Sequence, residues 1–242
     1  KHSKSDWEGD SDGDGVPDFL VGAPYCEADG MPGNAGCTYL FAQTDFGIGL
    51  ATPEGIPMFW GEQGSAGLGF SVAAAGDFDG DGLDDMLMGA QNHDVVEDDE
   101  GAAYVILGRT DGWGTGSVSE AHLVMYGAEV DDKMGRYLNH LGDIDADGTT
   151  DIGVVAHNSS LYESKAGAVY GILGGRESGT ILVQEDADFV MVGGTTNDYL
   201  GRAIFPAGDV DDDGYDDFWL GSSGATSYGA MYLMGGVPRP TD

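Results

Sequence analysis

The chain has 242 residues, of which 43 are Gly and 43 are Asp or Glu against only nine Lys plus Arg, for a formal charge of −34. Nine scattered cations cannot build the clustered footprint by which nucleic acids or anionic membranes are bound, so polyanionic partners are disfavoured. With 41% hydrophobic and 10% aromatic residues, the chain is no disordered acidic tail, and its length allows one large all-β domain or two small ones.

The first feature met along the chain is Gly9-Asp10-Ser11-Asp12-Gly13-Asp14-Gly15-Val16-Pro17-Asp18, and it recurs over 76–85, 142–151 and 208–217. Its first aspartates, Asp10, Asp77, Asp143 and Asp209, stand 67, 66 and 66 residues apart. Such a fixed period defines a tandem repeat, with units of approximately 1–66, 67–132, 133–198 and 199–242. Other landmarks keep the same interval. Gly22-Ala23-Pro24 corresponds to Gly89-Ala90-Gln91 and Gly221-Ser222-Ser223, with Val155-Ala156-His157 as a drifted third copy. Tyr39, Tyr104, Tyr170 and Tyr232 follow in equivalent places, and Gly61, Gly127 and Gly193 close a further apolar run. Leu68-Gly69-Phe70, Met134-Gly135-Arg136 and Leu200-Gly201-Arg202 open the next units.

Each unit therefore holds four short apolar runs punctuated by Gly and Asp turns, which predicts strands rather than helices. In the second unit they fall near 70–75, 85–88, 103–107 and 122–126. No stretch sustains a 3.6-residue apolar period, so little helix is expected. Tandem four-stranded antiparallel units predict an all-β chain of β-propeller blades, about four in number. The first unit lacks a recognisable first strand over 1–8 and the fourth stops after its third strand near Gly236, so both end blades are incomplete. Cys26 and Cys37, 11 positions apart in a Gly- and Pro-rich stretch, read as a short disulfide-closed loop in an oxidising compartment, the alternative being two free thiols. No apolar run reaches the ~20 residues that span a bilayer, and Lys1-His2-Ser3-Lys4 is not followed by an apolar signal core. The expectation is a soluble, mature or excised piece without direct membrane insertion.

The Asp-x-Asp-x-Asp-Gly-x-x-Asp loop supplies carboxylates at positions 1, 3, 5 and 9 and a backbone carbonyl at position 7, a hard-oxygen set that suits calcium. The carboxylates would be Asp10, Asp12, Asp14 and Asp18; Asp77, Asp79, Asp81 and Asp85; Asp143, Asp145, Asp147 and Asp151; and Asp209, Asp211, Asp213 and Asp217. The carbonyls would come from Val16, Leu83, Thr149 and Tyr215. An EF-hand would need Glu at position 12, where the chain has Val21, Met88, Val154 and Leu220. Magnesium fits less well, because it prefers octahedral geometry and keeps most of its waters. About four calcium ions, one per loop, are expected; without them the carboxylates would repel one another.

On Gly69-Phe70, the four aspartate loops and Gly22-Ala23-Pro24, nearly the whole chain resembles the FG-GAP repeats, the blades of integrin α-chain propellers and of their bacterial and fungal relatives. The resemblance implies a calcium ion in the first hairpin of each blade, ligands on the opposite face, and a ring usually of seven blades. The four units would then form one propeller region, completed by a longer chain or by an assembly. That opposite face carries loops over 25–35, 91–100, 158–166 and 222–228, with Tyr25, His93, His157, Tyr162 and Tyr228 as candidate contacts for a protein or carbohydrate. No H-E-x-x-H, G-x-S-x-G or phosphate loop is present. The reading is an extracellular binding, adhesion or assembly module rather than an enzyme. The alternatives are a polysaccharide lyase or lipase-type hydrolase on a propeller, and a purely structural surface or filament subunit. Asn158-Ser159-Ser160 forms a glycosylation sequon.

Overall fold

The fold is described from a computed structural model over residues 9–27, 30–41, 56–94 and 98–237. The expected absence of a first strand over 1–8 lies outside the described residues.

The first blade is built from β1 (Phe19–Ala23), β2 (Cys37–Phe41) and β3 (Met58–Trp60). The second contributes β4 (Leu68–Gly76), β5 (Asp85–Ala90), β6 (Ala102–Ile106), β7 (Gly116–Ser117) and β8 (Leu123–Tyr126). The third contributes β9 (Met134–Gly142), β10 (Asp151–Ala156), β11 (Ala168–Ile172), β12 (Gly179–Leu182) and β13 (Phe189–Val192), and the fourth β14 (Leu200–Gly208), β15 (Asp217–Ser222) and β16 (Ala230–Met234). Helix is confined, among the described residues, to single turns at Val118–Glu120 and Val183–Asp186. The four expected strands of the second unit are all present. They run from a few residues longer, at β4, to one shorter.

Within each blade consecutive strands pair antiparallel, as in the ladders β4–β5, β5–β6 and β6–β8. The same register recurs from blade to blade: Val21, Met88, Val154 and Leu220 lie opposite Tyr39, Tyr104, Tyr170 and Tyr232. The sequence did not reveal a further pairing. The connection after β6 reaches back so that β7 pairs parallel with β3, and β12 likewise pairs parallel with β8. Each of these two blades thus has its outer edge covered by a strand of the next, which blunts an edge otherwise open to another chain.

The cores lie between blades. Leu20, Leu40 and Phe59 of the first blade pack with Met86, Met88 and Tyr104 of the second. Leu87, Val105 and Met125 on the other side of that sheet meet Leu138, Val154 and Tyr170, and Val155 and Val169 meet Ile204, Phe218 and Leu220. A strand sandwiched in this way must be apolar on both faces, which is why all six residues of β5 and of β10 are buried. Each such Leu, Val or Met contributes about 1.5–3 kcal/mol. The blades approach so closely at the Gly-Ala-Pro position that a side chain on Gly22 would strike the Gly69 carbonyl, and one on Gly89 that of Gly135. Where the third unit has Val155 instead, its side chain occupies the space left by Gly201.

Candidate metal centres

The aspartate loops connect the first two strands of each described hairpin, and their own carboxylates shape them. The position-1 aspartate accepts from the N–H of the glycine at position 6: Gly15 to Asp10 Oδ2 at 2.9 Å, with 3.0 Å for Gly82 to Asp77, Gly148 to Asp143 and Gly214 to Asp209. Those glycines adopt φ between +83° and +94°, the left-handed region that lets the chain turn back on itself. Position 3 accepts from the N–H of position 5, as in Asp81 to Asp79 at 3.1 Å. Position 5 accepts from the N–H of position 7, as in Leu83 to Asp81 at 2.9 Å. Nested turns of this kind hold the side-chain oxygens on the inside of the loop.

Position 9 is the brace. Oδ2 of Asp18, Asp85, Asp151 and Asp217 accepts from the N–H at position 2, at 3.0, 2.8, 2.8 and 2.9 Å. The other oxygen of Asp85, Asp151 and Asp217 accepts from Gly108, Gly174 and Gly236 at the end of the third strand. Burial pushes the Asp85 and Asp151 carboxyls up to about 7, against the pull of these N–H groups, and nearby carboxylates add to the rise. Asp18 is raised by the same burial, and exposed Asp211 chiefly by the charge of Asp213.

In every loop oxygens of positions 1, 3 and 9 lie within 4.8 Å of one another: Asp10, Asp12 and Asp18; Asp77, Asp79 and Asp85; Asp143, Asp145 and Asp151; Asp209, Asp211 and Asp217. The position-5 residues Asp14, Asp81, Asp147 and Asp213 stand outside these triads and fix the N–H groups of Val16, Leu83, Thr149 and Tyr215. Asp10 Oδ1 and Asp77 Oδ1 are buried with no hydrogen-bond partner. An unpaired carboxylate oxygen among other carboxylates is costly unless a cation neutralises it. The residues present therefore fit a divalent ion.

Position 8 was overlooked in the sequence. The N–H groups of Asp84, Thr150 and Asp216 donate to the position-1 carbonyls of the preceding blade, Asp10, Asp77 and Asp143, at 3.2, 2.8 and 3.0 Å. Asp84 and Asp216 also accept from the Asp10 and Asp143 N–H groups at 2.9 and 3.0 Å. Adjacent loops are thus joined across the blade boundary. The one available signal was a polar residue at position 8 in three of the four units.

At the opposite end of the strands Cys26 and Cys37 form a disulfide, with Cα atoms 5.5 Å apart. Tyr25, Tyr162 and Tyr228 are exposed, Tyr228 completely. The histidines expected beside them are buried instead. His93 stacks on Tyr126 at 5.3 Å and His157 meets Tyr137 edge-on at 5.3 Å. Burial lowers both imidazoles, and Arg202 and Arg136 help bring His157 down to about 4. Three tyrosines remain as the accessible candidates.

The FG-GAP repeat family model matches residues 68–106, the stretch from β4 to β6. Integrin alpha-5 of Xenopus laevis is 32% identical over 220 residues, covering 87% of this chain and 19% of that protein. Integrin alpha-V of Gallus gallus is 31% identical over 222 residues (89% and 19%), and integrin alpha-4 of Xenopus laevis 28% over 206 (85% and 18%). The chain spans about a fifth of the length of these curated relatives, none of which is named as an enzyme. Among the described residues no helix is long and apolar enough to cross a membrane. The chain belongs to the FG-GAP repeat family and is a homologue of the integrin α chains over most of its length.

Proposed function

We propose that this chain is a calcium-stabilised segment of an extracellular β-propeller whose role is adhesion or recognition of a protein partner. The observation that carries the reading is the fourfold triad of aspartates, with buried unpaired oxygens on Asp10 and Asp77, in a chain similar to integrin α chains. The residues that would hold the ions are the position 1, 3, 5 and 9 aspartates with the carbonyls of Val16, Leu83, Thr149 and Tyr215. Bound calcium would supply the positive charge that lets these carboxylates converge, and the chemistry required of it is structural. Repeat units 1–66, 67–132, 133–198 and 199–242 form one propeller region, completed by further chain or by an assembly.

Partner contacts fall on the face bearing Tyr25, Tyr162 and Tyr228, because the opposite face is occupied by tightly bonded hairpins while these loops differ in length and side chains. Calorimetric titration should give about four calcium sites and weaker binding of magnesium. The recognition reading is tested on arrays of extracellular proteins and of glycans. Binding to a protein ligand that is lost in a Tyr25→Ala, Tyr162→Ala, Tyr228→Ala triple variant supports it; glycan binding alone, or binding indifferent to the three substitutions, overturns the placement.

A further inference from the structure

The inner strands β4, β9 and β14, together with β1, the second strand of the first blade, line one cavity of about 940 Å³. The residue following the entry glycine of each complete inner strand reaches this space, and in turn these residues are Phe70, Arg136 and Arg202. In a chain of charge −34, two of nine cations face a single lumen.

Their surroundings are unusual for such an acidic protein. Arg109, Lys133 and Arg176 each pair with a carboxylate, whereas among the described residues Arg136 and Arg202 have none within ion-pairing distance. Neutral groups hold them instead. Arg136 donates to Gln91 Oε1 at 2.7 Å and lies 5.7 Å from the ring centroids of both Phe70 and Tyr137. Arg202 donates to Ser223 Oγ at 3.2 Å and sits 3.9 Å over Tyr199. Neutral anchors and aromatic faces orient a guanidinium without cancelling its charge, and most of its five N–H donors stay uncommitted. Arg136 and the buried His157 both lie against Tyr137, and the charges of Arg202 and Arg136 both help lower that imidazole. Elsewhere the wall mixes polar Ser71, Asn139 and His140 with apolar Val72, Ala74 and Phe205.

We propose that this axial cavity is a carboxylate-binding site, in which Arg136 and Arg202 together receive one carboxylate group while Phe70, Val72 and Phe205 take the body that carries it. Guanidinium matches carboxylate by paired N–H···O bonds, and the volume lies within the range of sites for compact organic ligands. A single carboxylate on an otherwise uncharged body fits the setting, since the strongly negative remainder of the chain repels ligands of multiple negative charge. Its source is either an acidic side chain of a partner polypeptide or a free organic acid. The site adjoins the tyrosine-bearing loops, since Phe70 meets Tyr25 edge-on at 5.7 Å and the two arginines bond to Gln91 and Ser223, but it does not rest on their role.

The test is calorimetric titration of the full chain in calcium buffer with two matched pairs of probes. One pair is the blocked peptide Gly-Gly-Glu-Gly-Gly and its Gln counterpart; the other is benzoate and benzamide. The expected result is at least tenfold tighter binding of an acid than of its amide, weakening as salt is raised. That preference should vanish in the Arg136→Gln, Arg202→Gln double variant at an unchanged melting temperature. Should the double variant lose its fold, the single Arg202→Gln variant, altered at the more exposed guanidinium, takes its place and should reduce the preference. Preference for the Glu peptide assigns the site to a partner's side chain, and preference for benzoate alone assigns it to a free acid. Equal affinity for acid and amide in both pairs, including no binding of any probe, overturns the proposal, as does a folded variant that keeps the preference.

Discussion

The second and fourth blades share their loops, their glycines and their strand register, yet differ in what they bury. All of β5 is buried, while β15 leaves Trp219 36% exposed; Tyr104 on β6 is fully buried, while its counterpart Tyr232 on β16 is 43% exposed. Met231 and Leu233 are exposed beside it. The second blade has a neighbour on each face, whereas the fourth is covered by the third on one face only. Apolar composition in these strands thus records how many blades a strand was built to touch. Stability in such an array is a sum of unit and interface contributions, and the fourth blade lacks one interface within the described residues. The outer strands repeat the contrast. β8, flanked by the parallel strand β12, buries Leu123, Val124 and Met125, while β13 leaves Val190 and Val192 exposed.

The largest effect expected is from removal of calcium, which acts on both blades at once. An ion that binds only the folded state contributes ~2.7 kcal/mol per site at a hundredfold excess over Kd. Chelation should therefore lower the melting temperature strongly, and readdition should restore it; an unchanged midpoint breaks the reading of the loops as metal sites.

Side-chain truncation sharpens the comparison directly. Leu87→Ala, at a fully buried position, should cost about 2–5 kcal/mol, whereas Leu233→Ala should cost within about 0.5 kcal/mol, as surface changes do. Denaturant unfolding of the two variants measures both values. Equal losses would mean that the exposed face of the fourth blade is already covered in solution, as by a second copy. In a longer version carrying the next repeat, the Leu233→Ala cost should rise toward that of Leu87→Ala.

The disulfide belongs to the first blade alone. Replacing Cys26 and Cys37 by Ser should cost about 3 kcal/mol in the chain-entropy picture of a loop of this length. Alkylation of the intact chain without reductant should leave its mass unchanged.

A smaller effect concerns pH. Burial, aided by the charges of Glu129 and Asp131, pushes Asp132 up to about 7 from the ordinary 3.8. Between these values the folded chain holds a proton that the unfolded chain has lost, so this group's contribution to stability falls as pH rises from about 4 to about 7 and is level above that. Its slope stays below about 1.4 kcal/mol per pH unit. Asp132→Asn should remove that component, leaving a variant at least as stable as the parent at pH 8. A parent and variant with parallel pH profiles in urea unfolding would place the titration elsewhere. His157 works in the opposite sense. Lowered to about 4, it adds stability that is lost as pH falls from about 6.5, so the variant should show a steeper acid limb than the parent.

The sequence by itself determined whatever is local. A period of 66 residues, turn glycines and alternating carboxylates specify hairpins and the oxygens inside them, because nested side-chain to backbone bonds span only two to seven residues. Strand positions in the second unit and the equivalence of Tyr39, Tyr104, Tyr170 and Tyr232 followed from the same repeat, whereas the pairing of those tyrosines with Val21, Met88, Val154 and Leu220 was seen only in the structure. Tertiary structure alone decided what joins one unit to the next. The bonds of Asp84, Thr150 and Asp216 to the preceding loop link residues more than 70 positions apart, and periodicity carries no sign of them. The parallel strands β7 and β12 are two and four residues long, too short to show a pattern. His93 and His157 looked like loop side chains and are buried, because neighbouring strands supply Tyr126 and Tyr137 against which their rings pack. Arg136 and Arg202 were legible only as the variable residue after an entry glycine; that both face one lumen follows from the radial packing of blades, which turns equivalent positions of successive repeats toward a common axis.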